Sequence, residues 1–280
     1  MSTKIDRLDA LLSRFALSAE MFHSGPLCGL TEFAPLPGVG QLHLVRRGAV
    51  EVMHEHYAAR IDEPSLLFYP RPMAHRFVTD GQGADMACAN VRFADNDRHP
   101  IALGLPSFVV LPLGQLSGCD AVLEVLFGEA FAPRCGSRQL VNRLFEVVLI
   151  YILRALIDGG RVEQGVLAGL ADARLCRALV AMHEDIARPW SLPLLAQYAG
   201  QSRTQFANHF KRVVGITPGE YLTSHRMRVA QSLLREGRTL EQVAAAVGYS
   251  GQSAFSRAFI DTLGVAPSAW RRAGPSAFAD

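Results

Sequence analysis

The sequence has little of what would tie it to a membrane or to an oxidising compartment. Its most apolar run, Val147 to Leu153, lies between Glu146 and Arg154, far short of the roughly 20 residues that a spanning helix needs. No long apolar stretch follows the first residues; Leu8, Leu11, Leu12 and Phe15 instead form an amphipathic pattern, so export is not expected. The five cysteines have no close pairing, which excludes a dense disulfide framework and implies free thiols in a reducing, cytoplasmic setting. A net charge of +2 excludes a uniformly polyionic chain. With 49% hydrophobic and 19% charged residues, the 280-residue chain is not of disordered composition and has material for two ordinary domains.

The small net charge conceals an uneven distribution. From Ala171 onward there are 13 basic and 8 acidic residues, against 15 and 18 in the remainder. A basic C-terminal part joined to a mildly acidic front part predicts that one end meets a polyanion.

Three textures follow one another. Between about Gly29 and Pro112, short apolar runs are separated by Gly and Pro: Gln41–Val45, Val50–Met53, Ser65–Tyr69, His75–Val78, Met86–Phe93 and Phe108–Leu111. This spacing predicts an antiparallel β unit, and alternation sends Cys88, Asn90 and Arg92 to one face. Ala121–Ala130 and Ser137–Ile157 carry apolar residues at helical spacing. Four glycines between Gly159 and Gly169 make this stretch the linker candidate. The expected organisation is therefore a sensor-like domain over 1–115 with an N-terminal helix, connecting or dimerising helices over 116–158, a linker over 159–170, and an all-helical domain over 171–274.

The helical domain repeats itself. Leu192 to Gly200 matches Leu240 to Gly248 at an offset of 48, and Phe206, Phe210, Gly215, Pro218 and Tyr221 recur as Phe255, Phe259, Gly264, Pro267 and Trp270 at an offset of 49. Each copy is a short helix, a glycine-containing turn with Ser202 or Ser250 placed to cap, and a second helix. That is the pattern of a helix-turn-helix, whose second helix enters the major groove. With the Phe pairs buried, the outward residues are Arg203, Thr204, Gln205, Ala207, Asn208 and Lys211 in the first copy, and Gln252, Ser253, Ser256 and Arg257 in the second. Arg suits guanine, and Asn and Gln suit adenine. The helix from Thr217 to Leu234 is the rigid spacer between the copies; its 18 residues extend for roughly 27 Å.

The run Arg228-Val-Ala-Gln-Ser-Leu-Leu, with Val243 to Tyr249, Phe255-Ser-Arg-Ala-Phe259 and Gly264-Val-Ala-Pro267, resembles the DNA-binding domain of AraC/XylS transcription regulators. The resemblance implies double-stranded promoter DNA and RNA polymerase as partners. It makes Arg203, Thr204 and Asn208 the base readers, with Gln252, Ser253 and Arg257 secondary. The front part is similar to the cupin-type sensor of one branch of that family, through Gly40 to Gly48 and Leu66 to His75. The expected fold is thus α+β: a cupin-like β-barrel, then helices, then an all-α domain with two helix-turn-helix motifs.

The cupin motifs depart from the metal-loaded pattern: one His (His43) stands in the first, and Pro72 replaces a usual glycine in the second. Cys28, His43, His75 and Cys88 are nevertheless residues that a barrel can gather, and two imidazoles with two thiolates suit Zn²⁺ or another thiophilic metal. Cys28 and Cys88 also match the two redox-active cysteines of the reactive-chlorine-sensing regulator of the family, which implies an oxidant-responsive activator. Cys119, Cys135 and Cys176 read as core or bystander thiols. His54 and His56 read as exposed, and His23 shows no useful pairing. Two other readings stand beside the regulator: a metal-dependent cupin enzyme with an accessory helical domain, and a constitutive DNA-binding protein whose front domain only forms a homodimer.

Overall fold

A computed structural model describes residues 6–13, 17–55, 57–93, 99–162 and 164–273. The chain is α+β and folds as two units, Phe15–Ala171 and the combination of Met1–Arg14 with Asp172–Asp280. Phe15 and His56, named above, lie outside the described residues.

The first unit begins with nine strands: β1 (Leu17–Leu27), β2 (Leu30–Phe33), β3 (Gly40–Arg47), β4 (Val50–His54), β5 (Tyr57–Ile61), β6 (Ser65–Tyr69), β7 (His75–Thr79), β8 (Ala84–Phe93) and β9 (Val109–Pro112). They form two antiparallel sheets, in the orders β1-β8-β3-β6-β9 and β2-β7-β4-β5. The sheets face one another across a core that includes Leu27, Val45 and Met86 from one and Val50, Val52 and Phe77 from the other. Inward residues alternate along each strand, as a two-residue period requires. All six strands expected from the sequence are present. β1, β2 and β5 were not anticipated: β1 contains Gly25-Pro26 and a bulge between Met21 and His23, features that blur a strand pattern.

A short helix, α2 (Pro100–Gly104), precedes β9, and two longer ones, α3 (Asp120–Phe131) and α4 (Ser137–Asp158), follow it. Asn142 of α4 accepts the backbone N–H of Met21 at 2.8 Å, so α4 lies along the edge strand β1 and satisfies part of it. The glycine-rich stretch differs from the linker expected over 159–170. Val166–Ala171 forms α5, whose Val166, Leu167 and Leu170 are buried in contact with α2 and α4. Its apolar side chains outweigh the glycines, and Gly165, at φ 93°, lies so close to Gly104 that an added Cβ would be 3.0 Å from that residue's Cα.

The second unit is helical: α6 (Leu175–Glu184), α7 (Leu192–Tyr198), α8 (Arg203–Val214), α9 (Pro218–Arg235), α10 (Leu240–Ala246), α11 (Gln252–Leu263) and α12 (Pro267–Ala273). The small helix α1 (Asp9–Leu12), expected with the front domain, packs on α6 instead, burying Leu11 completely and Leu8 nearly so. Phe206, Phe210, Phe255 and Phe259 are also fully buried.

Candidate DNA-reading face and sensor cluster

Local signals fix each helix of the duplicated motif. Ser202 caps α8 through a reciprocal box: its Oγ accepts the Gln205 N–H at 3.4 Å, and Gln205 Oε1 accepts the Ser202 N–H at 3.3 Å. Thr217 with Glu220 and Thr239 with Gln242 start α9 and α10 in the same way. The bonds from Thr217 hold the Glu220 carboxyl below its ordinary value. Ser250 does not cap α11. The position equivalent to Ser202 is Gly251, one residue later, so this helix has no side-chain cap. In the turn before it, Gly248 has φ 78°, and a Cβ there would lie 2.3 Å from the Ala187 carbonyl oxygen.

Helical geometry sorts the predicted readers. Residues three and seven apart share a row, so Arg203 begins the row of buried Phe206 and Phe210, and Gln252 that of Phe255 and Phe259. Both are exposed because they open their helices, but they stand at the edge of the outward face. That face is centred on Thr204, Asn208, Lys211 and Arg212 in α8, and on Ser253, Arg257, Ile260 and Asp261 in α11, all exposed. Ser256 is half-buried, and Gln205 uses its carbonyl oxygen in the cap. The sequence reading missed Arg212 and Asp261, although each lies one turn beyond a reader it found.

In the first unit, register brings His23, Cys88 and His43 side by side across β1, β8 and β3. His75 reaches them from the opposite sheet, its Nε2 being 3.0 Å from His43 Nε2. Protons can be assigned from the partners. His75 Nδ1 lies 2.9 Å from the Met73 carbonyl, which can only accept, so that nitrogen carries the hydrogen. The neutral His75 then accepts at Nε2, His43 donates from Nε2, and His43 Nδ1 is a buried lone pair without a partner among the described residues. Burial, then the neighbouring His75 and His23, hold His43 well below its ordinary pKa. Burial pulls His75 to about 4, against the raising effect of the Met73 bond and with a lowering one from His54. Both rings are therefore neutral at pH 7. Burial pushes the Cys88 thiol up.

Aromatic rings wall the pair: Tyr69 stacks on His75 at 3.9 Å, and Phe33 and Phe77 each lie 4.8 Å from His43. His54, expected to be exposed, is half-buried with Nδ1 at 3.2 Å from the Tyr69 hydroxyl. Cys119 and Cys176 are buried, and Cys135 is exposed beside the start of α4.

Cys28 stands apart. It is exposed in the turn after β1, packed on Gly83. Cys28 follows Leu27, which pairs with Ala84, whereas Cys88 pairs with His23, so about five residues of strand, roughly 16 Å, separate the two cysteines. A disulfide needs Cα atoms about 4.4–6.8 Å apart, so these thiols are not poised to bridge. The cluster that forms is His23, His43, His75 and Cys88, with His23 in place of Cys28. His43 and His75 turn their facing nitrogens to each other, and among the described residues no group of three or more His, Cys, Asp or Glu is placed to hold a metal ion.

Comparison with known proteins bears on both units. A cupin family model matches residues 6–158, and a helix-turn-helix domain model matches residues 195–273. An AraC-like transcription regulator of Streptomyces antibioticus is 34% identical over 297 residues, covering 95% of this chain and 97% of its own. The chain belongs to the AraC-like transcription regulators. The RCS-specific HTH-type transcriptional activator RclR of Escherichia coli K12 is 25% identical, covering 94% of this regulator and 97% of its own chain. The solved DNA-binding domain of AdpA in complex with a target DNA is 27% identical, covering 36% of this regulator and 93% of that chain, with a TM-score of 0.35. Regulators of this kind bind DNA through the helix-turn-helix unit that α7–α11 build here. Among the described residues, no helix of this regulator is long and apolar enough to cross a membrane.

Proposed function

We propose that this regulator reads promoter DNA through the outward rows of α8 and α11 and has no enzymatic activity. The observation that carries the reading is the pair of exposed polar rows, Thr204–Asn208 and Ser253–Arg257, each raised on a buried Phe pair. Asn208 is the central reader, with Arg203 and Gln252 reaching in from the edges, and Lys211 contributes charge. Binding is expected to fall steeply with salt. The test is to select duplexes from a random pool with the full-length protein, then compare Asn208→Ala with the parent. Loss of preference at one or two positions is expected; no enriched sequence with the parent protein refutes the reading.

Sensing is assigned to the cupin unit, with Cys28, exposed, as the thiol that an oxidant meets first, and Cys88 as the protected one. RclR, a relative whose name carries the words RCS-specific, supports an oxidant as the signal. Cys28→Ser should abolish oxidant-dependent transcription of a reporter, and Cys88→Ser should alter its threshold. An unchanged response in both variants removes the thiols from the mechanism. Dimerisation is assigned to α4, where Leu140, Leu144, Val147 and Tyr151 follow coiled-coil spacing and Leu140 and Val147 are 43% and 37% exposed. Sedimentation of Val147→Glu as a monomer beside a dimeric parent is the expected result. RNA polymerase is the protein partner through which the bound dimer acts.

A further inference from the structure

Beside the reading face, a cleft of about 610 Å³ separates the start of α6 from α8. Arg174 lines it on one side and Asn208, His209 and Arg212 on the other, with Asp172 at its edge. Two guanidinium groups thus border one concavity. Both are exposed, and neither has an ion pair among the described residues. The nearby carboxylate is engaged by other groups. Asp172 Oδ1 accepts the backbone N–H groups of Arg174 and Leu175, each at 2.9 Å, and its Oδ2 lies 3.0 Å from His209 Nε2. The cleft therefore keeps positive charge at its mouth while its one acid is satisfied within the protein.

Position decides what this charge is for. Arg212 is one turn after Asn208, on the same row, about 6 Å further along the axis. A recognition helix meets base edges with its N-terminal residues, so the next turn of that row reaches the wall of the groove, where the phosphates are. Arg at such a point is suited to bidentate capture of phosphate oxygens. We propose that Arg174 and Arg212 form a clamp on the DNA backbone next to the base pairs that Asn208 meets. The clamp belongs to the first helix-turn-helix alone, since the residue equivalent to Arg212 in the second is Asp261. This inference rests on the DNA-reading assignment above.

The experiment uses the full-length protein, a duplex enriched from a random pool by the parent, and a scrambled duplex of equal length, titrated across a salt series. Arg174→Gln and Arg212→Gln should each weaken binding about fivefold at 0.15 M salt and reduce the slope of log K against log salt by about 0.9. Both duplexes should be affected alike, and the enriched sequence should not change. Unfolding midpoints equal to the parent's confirm that the effect is on binding. Unchanged slopes in both variants overturn the clamp, as does a changed base preference with scrambled binding intact, which would make these residues readers. Inorganic phosphate, without DNA, should leave the parent's unfolding midpoint unmoved. A phosphate-dependent rise that the two variants abolish would make the cleft a free-anion site and overturn the backbone assignment. Failure of the parent to enrich any sequence defeats the DNA reading itself, a result distinct from normal enrichment with unaltered slopes.

Discussion

The two helix-turn-helix copies keep the same interior and differ on the outside. Phe206 and Phe210 correspond to Phe255 and Phe259, all fully buried, and Gly215 and Gly264 end their helices at φ 93° and 72°. The outward rows have diverged: Thr204, Asn208 and Arg212 stand where the second copy has Ser253, Arg257 and Asp261, and Lys211 corresponds to Ile260, which is 44% exposed. The starts have diverged as well, one closed by a capping box and the other by an uncapped glycine. Packing tolerates little change because each ring fills a shaped space, whereas the surface is free to specialise. The first copy combines base-reading groups with backbone charge; the second has a cation at Arg257 and an acid one turn later.

If the interiors are equivalent, Phe206→Ala and Phe255→Ala should each cost about 3–5 kcal/mol, measured by denaturant unfolding of the full chain. A large difference between them would break the comparison at its base. The faces should then separate. Asn208→Ala is expected to lose about 1–3 kcal/mol of discrimination against a mismatched duplex, and Arg257→Ala should lose less; competition binding with single-base variants of the enriched duplex measures both. Asp261→Arg should make the second face resemble the first, strengthening binding to any duplex about fivefold at 0.15 M salt, read from the salt series. The caps give the smallest effects. Ser202→Ala should cost about 1 kcal/mol and Gly251→Ser should gain a few tenths, in unfolding midpoints. Gly251 is extended and an added Cβ meets nothing within 4 Å, so serine fits.

The duplicated unit was legible because its signals are local. Caps, glycines at helix ends and aromatics four apart survive in one dimension, and β6 could be read to the residue from Ser65-Leu-Leu-Phe-Tyr69. What the sequence hid depends on register. His23 seemed unpaired because its partner, Cys88, is 65 positions away, and the bulge in β1 shifts the alternation that would have signalled it. Cys28 seemed a cluster member because proximity to a strand end says nothing about which end of the sheet that is. Arg203 was favoured for its chemistry, yet it opens the row of buried Phe206 and Phe210 and so stands, exposed, at the edge of the outward face and not at its centre. Ser250 was favoured as a cap for the same reason, when a one-residue insertion between the halves of the repeat gives that place to Gly251.

The docking of Leu8 and Leu11 against α6 has a practical consequence. A DNA-binding fragment begun at Asp172 would lack the two leucines that shield that helix, leaving an oily scar on an otherwise polar surface. Such a piece should be prone to clump. A better excision would carry the opening dozen residues along, joined through a flexible tether, so that the helix keeps its native cover.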